Sequence, residues 1–190
     1  TAIVNGISSS IATTVGLIPA RGGVGNRFTA FQRTGAGNFT TMTPGAGHGH
    51  FPRIGSYGFL SDCHTCALVA PDGSVEWFCA PRFDSPSLFG SILDRSAGHF
   101  RFGPWDENAP LSRRYEPGTL VMETTWCTET GWVVVRDALS ISSWAEQGGP
   151  RELMTGHETD RCLVRLVKCI DGEVDMEMVC RPRFKYGTEA

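Results

Sequence analysis

The stretch from Tyr57 to Phe89 carries the densest run of turn chemistry, aromatic anchors and unusual polar residues in the chain, and Pro71-Asp72-Gly73 within it constrains the fold most. Proline presets φ at its own position, and glycine supplies the positive φ that closes a short hairpin loop. On one side lies Cys66 to Val69, an apolar run rich in β-formers. On the other, Ser74 to Cys79 reads as the returning strand, with Val75, Trp77 and Cys79 on one face and Glu76 between them. Beyond this hairpin, Pro81-Arg82-Phe83-Asp84 leads into a helix-start signal, Ser85 as N-cap and Pro86 at the first helical position. The pattern predicts a short helix over Ser85 to Leu93.

Further along, the pattern is repeatedly β. Gly98 to Gly103 alternates as a short strand does. Thr119 to Cys127 and Trp132 to Ile141 form a hairpin around Glu129-Thr130-Gly131. Arg161 to Ile170 and Glu173 to Val179 form another, joined by Asp171-Gly172, the strongest two-residue hairpin signal in the chain. In that last strand Glu173, Asp175 and Glu177 alternate with Val174, Met176 and Met178, which predicts one wet face. Cys162 to Val167 is apolar on both faces and belongs nearer the centre of a sheet. With no long amphipathic helix anywhere, residues 51–190 read as an all-β domain, an antiparallel β-sandwich.

Residues 1–50 differ in kind. They hold 10 of the 23 glycines, three arginines (Arg21, Arg27, Arg33) and no acid, and they read as a flexible Gly/Thr-rich arm. The whole chain of 190 residues carries a net charge of -3, without the concentrated basic patch of a nucleic-acid binder. No uninterrupted apolar run is long enough to cross a membrane, and no secretory signal fits the start. Seven scattered cysteines, mostly in apolar runs, indicate reduced buried thiols and a cytoplasmic protein. A start at Thr1 and a stop directly after a strand-like segment read as part of a larger polypeptide.

Several motifs invite chemistry. Gly22-Gly23-Val24-Gly25 lacks the Gly-Lys-Ser/Thr ending of a phosphate loop, and His48-Gly49-His50 sits in a glycine-rich linker. Cys63-His64-Thr65-Cys66 has the spacing of half a zinc site, but no second knuckle follows, so no metal site is assigned and Cys66 is expected to pack inward. Cys63 and His64 are sequence neighbours, which a strand sends to opposite sides, against a working dyad. The corner Arg82-Phe83-Asp84-Ser85 is the best site candidate: an aromatic plane suits the apolar face of a sugar ring and charged groups suit its hydroxyls. Against this, Asp84 and Ser85 explain themselves as caps of the helix at Pro86, with Arg82 paired to a nearby carboxylate. The aromatics Trp77, Phe78, Trp105, Trp126, Trp132 and Trp144 read as core first, and some as interface.

Tyr57-Gly58-Phe59-Leu60-Ser61-Asp62-Cys63 with Pro81-Arg82-Phe83-Asp84-Ser85-Pro86-Ser87-Leu88-Phe89 resembles the opening of family-15 glycoside hydrolases of the bacterial glucoamylase and trehalase type. Later pieces agree in order: Ser112 to Tyr115, Gly118 to Thr125, Leu163 to Arg165, and Arg181-Pro182-Arg183-Phe184-Lys185-Tyr186-Gly187. Many members of the family have Asp where this chain has Glu76. The Glu76-Trp77 form, with Ile92 to Arg95 and Gly98-His99-Phe100, is most similar to actinobacterial, particularly mycobacterial, trehalases. The resemblance covers about Ile54 to Gly187, and residues 1–50 match no part of the pattern.

What the resemblance implies is an N-terminal β-sandwich followed by an (α/α)6 barrel that holds two catalytic glutamates and lies outside this chain. The expected substrate is trehalose, hydrolysed with inversion to two glucose molecules, with Mg2+ and inorganic phosphate required by the full-length enzyme. The carboxylates of this chain fall on hairpin turns and solvent faces, so none receives a catalytic role. Trp77, Arg82, Phe83 and Asp84 are candidates for the substrate-pocket rim or the interface with the chain's own C-terminal barrel. Two alternatives stay open: a glucoamylase-type hydrolase of maltose or longer α-glucans, and a non-catalytic sugar-binding or structural sandwich. An exposed sandwich edge is also compatible with a homo-oligomer.

Overall fold

The computed structural model describes residues 51–105, 107–140 and 162–187, and in residues 1–50 the backbone of four strands. These four are β1 (Ala2–Ser8), β2 (Ala12–Pro19), β3 (Phe28–Arg33) and β4 (Phe39–Thr40). There follow β5 (Gly58–Ser61), β6 (Cys66–Val69), β7 (Ser74–Cys79), β8 (Ser87–Phe89) and β9 (His99–Pro104). The last are β10 (Ser112–Tyr115), β11 (Met122–Cys127), β12 (Gly131–Leu139) and β13 (Leu163–Arg181). Helix among the described residues is confined to single 3-10 turns at Ile54–Ser56 and Lys185–Gly187. None is long and apolar enough to cross a membrane. Gly22-Gly23-Val24-Gly25, His48-Gly49-His50 and Trp144 lie outside the described residues.

All pairings are antiparallel, in the order β10-β11-β12-β13-β9-β7-β6-β5, with β8 on β7 and with β1 and β2 along β13. The chain is thus all-β, one sheet curled onto itself. Its two edges meet: the Tyr115 hydroxyl of β10 accepts from the Phe59 N–H (2.7 Å) and donates to the Phe59 carbonyl (3.0 Å) of β5. Arg113, also on β10, donates to the carbonyls of Ser56 (2.5 Å) and Val69 (2.8 Å). β10 escapes a reading by apolar pattern because Ser112-Arg113-Arg114-Tyr115 is a polar edge strand, whose charges serve to satisfy and shield exposed backbone.

The hairpin β6–β7 forms where Pro71-Asp72-Gly73 places it, with Gly73 at φ 81°. Its faces differ from strict alternation. Leu68 pairs with Trp77, but Val69 pairs with Val75, so Glu76 is an extra residue, a β-bulge. The bulge reverses the parity of β7: Val75 enters the core, while Trp77 turns to the outer face beside Leu68. Cys66 likewise stays half-buried on that outer face, and Ala67 and Val69 take the inward positions expected of it.

Two larger expectations are corrected. Asp171-Gly172 is no hairpin. β13 runs uninterrupted for 19 residues through it, first paired with β12 (Leu163↔Leu139 to Gly172↔Gly131), then with β9 (Met176↔Pro104 to Arg181↔His99). Residues 163, 165, 167 and 169 face inward before the junction, and 174 and 176 after it, so the inward parity flips where the register shifts beside Gly172. The glycine at φ 66° serves as a sheet corner, where one strand leaves one layer for the other. Second, no helix follows Pro86. Ser87 to Phe89 pair with β7 and are wholly buried, because Leu88 and Phe89 gain more from the core than the cap signal offers. Asp84 and Ser85 therefore cap nothing helical.

The core joins Phe78, Phe89, Phe100, Phe102, Trp126 and Met176 with aliphatic residues from both layers. Through it runs a buried ion pair. Arg165, fully buried, donates to both Asp137 carboxylate oxygens (2.8 and 3.0 Å), to the Phe100 carbonyl (3.0 Å) and to the Gly73 carbonyl (2.7 Å). The guanidinium also lies over the rings of Phe100 and Phe102 (5.1 and 5.7 Å). One side chain from the β12–β13 layer thus satisfies two backbone carbonyls of the β7–β9 layer. Trp126 and Phe78 are core as expected, whereas Trp105 and Trp132 are exposed and Trp77 is half-buried.

Candidate functional site

The expectation that the carboxylates lie on turns and wet faces holds for few of the important ones. Asp62, Glu76, Glu123, Asp137 and Glu177 are all buried. Glu177, expected on the wet face of its strand, accepts from buried Arg101 at 2.5 Å. Glu123 accepts from Arg114 (2.6 Å) and Arg136 (2.5 Å). Burial pushes the Glu123 carboxyl upward, but the hydrogen bond from Arg114 and the charge of Arg136 outweigh it and leave the group below its ordinary value. Asp62 accepts instead from the N–H groups of His64 (2.9 Å) and Thr65 (2.7 Å). Each of these acids is thus already engaged, by arginine or by backbone donors.

Because Glu123 is held below its ordinary range, its stabilising effect is present above that range and is lost as pH falls through and below it. Glu123→Gln is expected to cost about 1.5 kcal/mol near neutrality, the low end for charged hydrogen bonds given the exposed partner Arg114. Urea midpoints of the two proteins should differ at pH 7 and draw together as pH falls below the ordinary carboxyl range; a constant gap across pH would refute the pairing.

The bulge at Glu76 builds the most unusual polar arrangement on the outer face. The Tyr57 hydroxyl donates to Glu76 Oε2 at 2.5 Å, and Arg95 Nη1 donates to Oε1 at 2.5 Å. Burial first, and then the carboxylate, push the Tyr57 hydroxyl up to about 12. The Glu76 carbonyl accepts from the Ile92 N–H (3.2 Å), which pins the turn carrying Arg95 to β7. Arg95 lies 4.0 Å above the ring of Phe51, and its Nε and Nη2 are buried with no hydrogen-bond partner among the described residues. An acid inside the apolar run Ser74–Cys79, without a wet face to occupy, was the available signal for this cluster.

The four candidates named from the sequence fall into two groups. Trp77 sits on β7, its ring 6.2 Å from that of Tyr186. Arg82, Phe83 and Asp84 stand out in solvent after β7. Arg82 Nε pairs with Asp84 at 3.1 Å, and the corner closes through Arg82 N–H to Ser85 Oγ (3.1 Å) and Phe83 N–H to the His64 carbonyl (2.9 Å). A pair this exposed adds little stability. Cys63 and His64 are exposed, and among the described residues no three His, Cys, Asp or Glu gather as metal ligands. Of the seven free cysteines, Cys63 and Cys127 are exposed rather than buried.

These features define an antiparallel all-β domain with its acids tied down and an aromatic outer face. The family model for Trehalase-like, N-terminal domains matches residues 47–190, and the chain belongs to that family. It is 50% identical over 140 residues to a trehalase of Mycolicibacterium smegmatis and 51% identical over 140 residues to one of Mycobacterium tuberculosis; each match covers 72% of this chain and 21% of the relative. A trehalase 1 of Sulfolobus acidocaldarius is 30% identical over 130 residues, covering 68% of this chain and 19% of the relative. The chain thus spans about a fifth of the length of the curated relatives it matches. No solved structure matches it.

Proposed function

We propose that this chain is the N-terminal β-sandwich domain of a family-15 glycoside hydrolase that cleaves α,α-trehalose to two glucose molecules in the cytoplasm, with residues 1–50 as an arm preceding it. The observation that carries this reading is the identity of about one residue in two to mycobacterial trehalases along almost the whole β domain. Inverting hydrolysis needs one carboxylic acid to protonate the glycosidic oxygen and one carboxylate to activate water, roughly 6.5–9.5 Å apart. The buried acids described here are engaged by arginine or by backbone N–H groups, so the reading assigns the acid and the base to a C-terminal (α/α)6 barrel. Mg2+ and inorganic phosphate belong to the whole enzyme in this reading; the described residues offer no metal-ligand cluster, and neither group is assigned to a residue of this chain.

Within that enzyme, Trp77 and the corner Arg82-Phe83-Asp84 face the barrel, and the corner lines the rim of the pocket. Because Asp84 caps no helix and its ion pair is exposed, Asp84→Ala should change stability by less than about 0.5 kcal/mol. In the full-length enzyme it is expected to lower kcat/KM for trehalose by about tenfold, about 1.4 kcal/mol of transition-state stabilisation. An unchanged kcat/KM would remove the corner from the pocket. The reading as a whole is tested by glucose release from trehalose and from maltose. Activity on maltose alone would favour a glucoamylase-type enzyme, and none on either a non-catalytic module.

A further inference from the structure

The outer face of the β5–β6–β7 layer is apolar along a continuous line. Phe59 stands directly opposite Leu68, and Leu68 directly opposite Trp77, so the three share one face of the sheet. Tyr186 extends the row by packing on Trp77. Phe59 is 43% exposed and Tyr186 51%, large aromatic surface without a second layer over it among the described residues. At its margin lies the Glu76–Arg95 pair. Leu93, on the turn that carries Arg95, is 65% exposed.

The course of the backbone indicates what completes it. After β13, the Arg183 N–H donates to the Leu88 carbonyl (2.9 Å), and Lys185, Tyr186 and Gly187 all take positive φ (49°, 61° and 87°). For Lys185 and Tyr186 this is an uncommon backbone, held by the seat of the Tyr186 ring on Trp77. Gly187 lies against Ala97, so close that a Cβ there would stand 3.0 Å from the Ala97 Cα. Residues 185–187 are thereby laid between Trp77 and the turn of Arg95, on the apolar face itself. In the relatives, about four-fifths of the polypeptide lies outside the matched region.

We infer that the row Phe59–Leu68–Trp77–Tyr186, with the Glu76–Arg95 pair at its margin, is the surface on which the C-terminal catalytic portion of the full-length enzyme docks. The inference rests on the reading of this chain as the N-terminal domain of a larger hydrolase, and it adds which face is covered and with what chemistry. The occupant brings an apolar surface for the aromatic row. Apolar area buried at such a contact excludes water, as the centre of an interface does.

Hydroxyl-radical footprinting of the full-length enzyme, read residue by residue, tests this without any variant. After correction for intrinsic reactivity, Phe59 and Tyr186 should oxidise at least about fivefold more slowly than Trp132 on β12, which is comparably exposed in this domain (39%), because an interface core excludes solvent. Tyr186→Asp should raise oxidation of Trp77 several-fold, whereas Leu166→Asp, on the other layer, should not. Labelling of Phe59 and Tyr186 as fast as Trp132 overturns the assignment, and so does protection that disappears on dilution, which would give the face to a second copy. The two readings fail separately. An enzyme that cleaves trehalose while the row labels freely loses only this docking face, and a protected row in an enzyme inert on trehalose loses only the substrate.

Discussion

Asp137→Ala is expected to destabilise the chain by about 3–5 kcal/mol, because it leaves the fully buried Arg165 guanidinium without its counter-charge. For a chain of this size that corresponds to a fall in Tm of roughly 6–20 °C. The physical reason is asymmetry. Burying the pair costs desolvation that the two parallel hydrogen bonds offset, but burying the arginine alone offsets nothing. Arg165 cannot swing out to water either, since Nη1 holds the Phe100 carbonyl and Nη2, besides Asp137, the Gly73 carbonyl in the facing layer. Replacing both partners, Asp137→Leu with Arg165→Met, should cost less than the single change, although those two carbonyls then lose a donor. A double variant no more stable than Asp137→Ala would show that the ion pair is not what fixes the two layers. Urea unfolding with the slope held common to all three proteins provides the comparison.

Gly172→Ala is expected to cost at least about 2 kcal/mol, from two sources that add. At φ 66° an L side chain carries a penalty of roughly 1–2 kcal/mol. A Cβ at this position would also fall on the Thr130 carbonyl oxygen and crowd the Gly131 Cα, both backbone atoms that cannot rotate away. Gly131 is similarly closed, for a Cβ there would meet the Asp171 carbonyl and, at 2.9 Å, the Glu173 nitrogen. Two glycines thus cross back to back where β13 passes from one layer to the other. Gly118, also at positive φ (73°) but with nothing within 4 Å, is the control: Gly118→Ala should cost only the conformational share. Equal losses at 118 and 172 would mean that close approach at the corner is unimportant.

That corner also explains which parts of the fold were legible in the sequence. The β6–β7 hairpin was readable because Pro71-Asp72-Gly73 acts locally, through φ preferences that need no tertiary partner. Asp171-Gly172 carries the same local signal, yet the backbone continues, because β12 and β9 wait on either side to extend β13. A glycine at positive φ serves a tight turn and a sheet corner equally, and only the pairing partners distinguish them. The helix expected after Pro86 failed for a related reason: Ser85-Pro86 begins a helix well, but Leu88 and Phe89 are needed in the core as a strand beside β7. The bulge at Glu76 was invisible to period-two counting, since one inserted residue reverses every face that follows.

The candidate site was legible by residue type and not by geometry. Trp77 and the corner Arg82-Phe83-Asp84 could be singled out from aromatic and charged character alone. That Tyr57 and Arg95, each 19 positions from Glu76, converge on its carboxylate follows from the bulge and from the turn pinned by Ile92. Tyr186 on Trp77 depends on three consecutive positive φ values that no propensity suggests for Lys and Tyr.

The central claim is that this β domain belongs to a hydrolase that splits trehalose with inversion. Its most direct test is proton NMR of the full-length enzyme acting on α,α-trehalose, recorded before the glucose anomers equilibrate. Inversion at one of two α-linked anomeric carbons releases one glucose as the β anomer and the other as α, so equal initial amounts of the two are expected. Release of α-glucose alone, or no glucose from trehalose while maltose is cleaved, would contradict it.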